Sequence, residues 1–304
     1  MNLSILTLAV VLVGAPAPVA AADLESTFQS LKDAEAKGDA ALVKTLAAEA
    51  CGMAREAAAE AAPASNDEKE GWTQRVAWAH DVETYTEYAL YAVALKGPAA
   101  TTVDLMSTLE QQNPKSKYLD QGYGNYLLAL TQTGATAKIP AVIEKGLQNL
   151  PENEDLLLVA ADNALKAKQS DKALGLANRL VAAAGKHTKP ESMAAADWER
   201  KRNTSLGHGH WMAGVIHGEK DQYMAADKDL RAALPLIKGN DAMMGPALFY
   251  LGMSNYRLGL MTNSKAKVLE GAKFSEDCGK ISGPYAEQAW RNAAAMKSDA
   301  SKLR

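Results

Sequence analysis

The chain has little of three things: cysteine, aromatic side chains and an excess of either charge. Only two cysteines, Cys51 and Cys278, occur in 304 residues, which excludes a disulfide-stapled framework and any Cys-x-x-Cys metal or redox motif. Aromatic residues make up 6%. Strands draw on Tyr, Phe, Trp, Val, Ile and Thr, so a sheet-rich fold is not expected, whereas the abundant alanine suits closely packed helices. The 33 Lys and Arg against 36 Asp and Glu are too even to make nucleic acid or an anionic membrane the expected partner. That balance is not uniform, because residues 23–70 hold 5 basic and 11 acidic side chains and the remainder holds 28 and 25. The N-terminal end is the acidic end.

Catalytic signatures are missing as well. There is no phosphate-loop motif, no Gly-x-Ser-x-Gly elbow and no His-Glu-x-x-His, and the stretch Gly207–Gly214 lacks the third glycine of the dinucleotide fingerprint. The expectation is a protein that is not an enzyme and carries no cofactor. Carboxylates such as Glu191, Asp197 and Glu199 are the residues a helical hydrolase could use for acid–base chemistry, set against the simpler reading of solvated helix faces.

The first 22 residues are read apart from the fold. Leu3 to Val13 is an apolar run, Gly14, Pro16 and Pro18 break it, and Ala20-Ala21-Ala22 puts small residues before charged Asp23, the order of a secretory signal cleaved near Ala22. The run is short of the ~20 residues of a spanning helix, and no Lys or Arg precedes it. The expectation is a periplasmic or secreted protein with no stable membrane insertion after cleavage.

From Asp23 the chain reads as helix after helix. Leu24 to Lys37 stops at Gly38, and Asp39 is placed to cap a return helix through Val43, Leu46, Ala50 and Met53. This N-terminal helical hairpin occupies 23–66. A long helix through Trp72, Val76, Val82, Tyr85, Ala89 and Val93 is expected to stop at Gly97-Pro98, and its partner, from about Ala100, at Asn113-Pro114. Further pairs follow, the last full one running from Ala247 to Leu258 and from Ser264 to Phe274. Residues 67–275 form the repeats and 276–304 a capping helix opened by Pro284.

Two marks recur at nearly one period. Pro151 follows Pro114 by 37 residues, and Gly252 follows Gly214 by 38. Periods of this length mean stacked helical hairpins. Ala213-Gly214 with Tyr223, Ala226, Leu230, Ala233 and Leu234, then Leu251-Gly252 with Gly259, Gly134 with Gly146 and Pro151, and Ala161 with Ala173 place small and apolar residues as two antiparallel helices need them. On these residues the chain resembles the tetratricopeptide repeat family, in a degenerate form of the exported bacterial type. The resemblance implies an all-α fold, a right-handed alpha-solenoid of antiparallel helix pairs, whose first helices line a concave face that holds a peptide or protein segment.

The candidates for that face are Tyr85, Tyr88, Tyr123, Tyr126, His210, Trp211 and Tyr256, with Tyr91 beside them. Tyrosine and tryptophan combine a large contact area with a polar handle, which suits recognition; the alternative for each is a place in the inter-helix core. His208, His210 and His217 raise the question of a metal. His210 and His217 are seven residues apart, ~10.5 Å along a helix, too far for shared ligation, so no metal is expected. Cys51 and Cys278, at opposite ends of a solenoid, are expected to be free, packed thiols. The functional expectation is a protein–protein interaction scaffold or adaptor with a protein or peptide partner; a small-molecule or glycan-binding module, which would show an aromatic-lined cleft, is the alternative.

Overall fold

The computed structural model describes residues 19–190 and 193–303, with side chains from Asp23 onward. The apolar run and breakers of the expected signal lie outside the described residues. Contacts divide the chain into two compact units, Met1–Thr136 and Ala137–Arg304. In the first lie α1 (Val19–Lys37), α2 (Ala40–Ala58), α3 (Asn66–Lys96), α4 (Ala99–Gln112) and α5 (Lys117–Gln132). The second holds α6 (Ile139–Asn149), α7 (Glu154–Lys166), α8 (Ser170–Lys186), α9 (Ala195–Glu219), α10 (Tyr223–Ala233), α11 (Asp241–Met261), α12 (Lys265–Gly279) and α13 (Ala286–Ala300). Among the described residues there is no strand, and no helix is long and apolar enough to cross a membrane.

The all-helical class therefore holds, and the reason is local. Buried positions on α2, Val43, Ala47, Ala50, Cys51 and Ala54, fall on one helical stripe. Helix starts carry caps: Asp39, Asn153 and Asn240 each accept from a backbone N–H one turn in, at 3.1, 2.9 and 3.3 Å. Gly97-Pro98 and Asn113-Pro114 end α3 and α4 where expected.

Four hairpin turns share one geometry. Residues Gly38, Lys168, Asp221 and Asn263 have φ between +50° and +69°. In each turn the next N–H reaches back five residues, from Asp39 to Ala34 O, Gln169 to Ala164 O, Gln222 to His217 O and Ser264 to Gly259 O. This is the Schellman stop, which closes a helix through one left-handed residue. Only the first turn uses glycine there. A side chain in that region costs on the order of 1 kcal/mol, so Lys168→Gly is expected to stabilise the second unit by about 0.5 kcal/mol after the extra freedom of glycine in the unfolded chain. A denaturation midpoint unchanged or lowered by Lys168→Gly would remove the strain argument.

Within each unit a helix packs on the next, and in the first unit every helix, in the second the odd-numbered ones, also packs on the next but one. In the first unit α3 contacts α1, α2, α4 and α5, and α2 contacts α4; in the second α9 contacts α7, α8, α10 and α11, and α13 contacts α11 and α12. Each core is thus built between neighbours along the chain, the packing of stacked hairpins. One such core gathers Leu157, Ala161, Ala177, Leu180, Met212 and Ile216 from α7, α8 and α9. The next gathers Val215, Leu230, Ile237, Met243 and Leu251 from α9, α10, α11 and the α10–α11 turn. Gly214 lets α10 close on α9: a Cβ there would stand 2.5 Å from Leu230 Cγ.

Two helices differ from the expectation. α11 begins at Asp241, not Ala247, and carries Pro246 inside. Asn240 caps the earlier start, and Gly245, having no Cβ, avoids the clash that proline imposes on the residue before it. α12 continues past Phe274 to Gly279, because Val268, Ala272, Ser275 and Cys278 prolong one buried stripe. Its end therefore lies beyond the expected repeat boundary at 275.

Candidate functional site

The first unit carries a belt of six aromatic rings drawn from its odd-numbered helices. Phe28 on α1 meets Trp78 and Tyr85 on α3, at 6.2 and 5.2 Å between ring centres. Tyr85 meets Tyr88 at 5.6 Å, Tyr88 meets Tyr118 on α5 at 5.7 Å, and Tyr118 meets Tyr91 at 5.7 Å. The rings are half-buried except Tyr88, which is 37% exposed. Helix register and packing together produce this: Trp78 and Tyr85 are two turns apart on α3, Tyr88 follows one turn on, and α1 and α5 both pack against α3.

Charge lies on the belt. Lys32 Nζ sits 4.1 Å from the centre of the Phe28 ring and 5.9 Å from that of Tyr85, and Lys117 Nζ sits 5.0 Å from Tyr118, within the range of cation–π attraction. The Tyr85 hydroxyl donates to Glu35 Oε2 at 3.5 Å, and Lys96 Nζ stands 3.7 Å from the other oxygen. Burial, reinforced by that carboxylate, pushes the Tyr85 phenol up to about 12, so it remains a hydrogen-bond donor throughout the neutral range. Leu95, two turns beyond Tyr88 on α3, is also exposed.

The other candidate residues are placed elsewhere. Tyr123 and Tyr126 are 0% and 3% exposed; their rings lie 6.4 Å apart inside the first unit, and the Tyr123 hydroxyl donates to buried Glu110 at 3.0 Å. They are core residues and present no open surface. Trp211 is a strut, its indole N–H donating to Met243 O at 2.8 Å while the ring packs on two cores. The Tyr256 hydroxyl donates to Asp299 Oδ2 at 2.8 Å, tying α11 to α13.

The histidines form a cluster of another kind. His210 Nδ1 lies 3.0 Å from Asp229 Oδ1 and His217 Nε2 lies 3.6 Å from Asp229 Oδ2. Two imidazoles seven residues apart on α9 thus share one carboxylate of α10, each taking a different oxygen. His208 turns back to Thr204 O at 2.9 Å. Among the described residues no group of three or more His, Cys, Asp or Glu is placed to hold a metal ion. Asp197 is exposed and pairs with Arg200 at 3.4 Å, Glu199 is exposed, and Glu191 lies outside the described residues.

No family model matches this chain, and no curated protein matches it.

Sequence reasoning missed half of the belt. Trp78 was available from periodicity, seven residues before Tyr85, while Phe28 and Tyr118 join only because α1 and α5 pack against α3. A cavity of about 390 Å³ in the second unit was also missed; Asp241, Pro246, Cys278, Ile281 and Tyr285 are among its lining. Cys278 donates to Gly245 O at 3.3 Å, and burial pushes its thiol up to about 11, so it is protonated and unreactive at neutral pH. Both cysteines are free and buried, as expected.

Proposed function

We propose that the protein is a non-catalytic scaffold or adaptor that holds an extended peptide or protein segment across the aromatic belt of its first unit. The helix pairs follow the right-handed tetratricopeptide arrangement in this reading, with the odd-numbered helices forming the recognition face, and the protein works after export to the periplasm or medium. The belt is the observation that carries the reading: partly exposed aromatic rings, four of them tyrosines, joined into one strip across three helices offer contact area at low conformational cost.

The ring angles favour a peptide over a sugar. Phe28 meets Trp78 and Tyr85 at 86° and 87°, and Tyr88 meets Tyr85 and Tyr118 at 57° and 59°. Rings tilted this steeply to one another do not share a plane, so these four pairs do not join into one flat platform for a run of pyranose rings, and only Tyr91 and Tyr118 come closer to parallel, at 32°. A strip of edges and hydroxyl groups suits side chains and backbone amides.

The test is affinity capture from a native cell-envelope extract with the wild-type chain and with Tyr88→Ala/Tyr118→Ala. Each truncation at a contact centre costs about 1–2 kcal/mol, so the double variant is expected to bind a captured protein at least about tenfold more weakly while melting within a few degrees of wild type. Equal capture by both proteins would refute the belt as the site.

A further inference from the structure

We propose, building on the peptide-binding reading, that the segment held on the belt is basic, presenting Lys or Arg side chains to the rings and to the carboxylates beside them. Three observations carry this. The first unit is strongly acidic: residues 1–136 contain 9 Lys and Arg against 17 Asp and Glu, a net charge of −8, whereas residues 137–304 contain 24 against 19, a net charge of +5. The near neutrality of the whole chain hides an acidic unit, and the belt lies on it.

The second observation is where unused carboxylates stand. Glu25 precedes Phe28 by three residues on α1, and Asp81 lies three residues after Trp78 and four before Tyr85 on α3, so each shares a helix face with belt rings. Both are exposed, and among the described residues neither has an ion pair or side-chain hydrogen bond. Other acids of the first unit are engaged, Glu35 with Lys96 and Tyr85, Glu83 with Arg55, and Glu60 with Arg75.

The third is that the belt already accepts cations. Lys32 and Lys117 place their ammonium groups over ring faces at 4.1 and 5.0 Å, and among the described residues neither has a carboxylate within ion-pair distance. Ring faces that hold the protein's own lysines are the faces a partner's Arg would take, since a guanidinium stacks on aromatic rings more readily than an ammonium. The path from Lys32 to Lys117 runs through contacts of 5.9, 5.6, 5.7 and 5.0 Å. At ~3.3 Å per extended residue, a segment of about seven residues covers it.

The experiment titrates the full chain into three labelled peptides that share one alternating apolar frame, with the intervening positions filled by Arg, Ser or Glu, and reads fluorescence anisotropy. The Arg peptide is expected to bind at least about tenfold tighter than the Glu peptide, with a difference that shrinks as salt rises. Glu25→Gln/Asp81→Asn should weaken the Arg peptide about threefold or more and leave the Ser peptide unchanged, while Tyr88→Ala/Tyr118→Ala weakens all that bind. Both carboxylates are exposed and unpaired, so their replacement leaves the fold intact. Equal or tighter binding of the Glu peptide, or an Arg peptide indifferent to Glu25→Gln/Asp81→Asn, overturns the basic-partner inference and leaves the peptide reading standing. If none of the three peptides binds, both fall together.

Discussion

Raising the pH from 9 to 12 is expected to unfold the first unit in a transition driven by its own tyrosines. Tyr123 and Tyr126 are buried beside Glu110, and burial together with that negative charge raises both phenols, Tyr126 to about 12 and Tyr123 beyond the usual range for tyrosine. In the unfolded chain a phenol ionises near 10. Between those values the unfolded chain gives up protons that the native chain keeps, so the unfolded state binds fewer and stability falls as pH rises. The contribution is fully present below pH 10 and is lost as the pH climbs through about 12. Each pH unit of difference is about 1.4 kcal/mol per group, so two phenols over two units remove about 5 kcal/mol, comparable with the whole stability of a small domain.

The measurement is absorbance of tyrosinate followed together with far-ultraviolet circular dichroism. Ionisation of the buried phenols should coincide with loss of helix. Tyr126→Phe separates cause from coincidence: its hydroxyl has no hydrogen bond among the described residues, so the change should be nearly neutral at pH 7 and should move the alkaline midpoint upward. A midpoint unmoved by Tyr126→Phe would assign the alkaline transition to other groups.

The same tyrosines show what the sequence could and could not carry. Leu119, Tyr123, Tyr126 and Leu130 follow one another at steps of four, three and four residues, all buried on α5, so the core stripe was legible once Leu119 was included. On α3 the buried stripe is Val82, Thr86, Ala89, Leu90 and Val93, and Tyr85 and Tyr88 flank it, which is why they reach the belt. Helix ends set by Gly38, Gly97-Pro98 and Asn113-Pro114 were legible because the chemistry that stops a helix there is local. The start of α11 was not, since Pro246 reads as a stop and only Gly245 and the Asn240 cap reverse that reading. The charge balance shifts across the division of the chain at Thr136, but where the boundary falls reflects which helices pack on which. Phe28 and Tyr118 entered the belt for the same reason: pairing between helices is a property of packing, and no periodicity within one helix encodes it.

Packing also sets the sign of two identical substitutions in the second unit, Gly271→Ala and Gly175→Ala. At Gly271 a Cβ would stand 2.7 Å from Gly252 O and 2.8 Å from Tyr256 N, both backbone atoms of α11. Neither can rotate away, and Gly252 is itself pressed against α12, where a Cβ would meet Ser275 Oγ without room for either. The two helices therefore touch backbone to backbone, and an added methyl must push them apart, loosening Val268, Ala272 and Met296 behind them and the Tyr256–Asp299 bond to α13. Overpacking of this kind costs about 1–3 kcal/mol. Alanine's better helix propensity returns about 1 kcal/mol, and because the obstruction is main chain on both sides the upper part of the range applies, leaving a net loss of about 2 kcal/mol. For a unit of this size that lowers the melting temperature by roughly 4–8 °C. Gly175 on α8 is exposed with no atom within 4 Å of the same methyl, so there only the propensity acts and the melting temperature should rise by roughly 1–4 °C. Differential scanning calorimetry of both variants reads the difference in one unfolding transition, and a Gly271→Ala protein as stable as wild type would mean that α11 and α12 do not approach this closely.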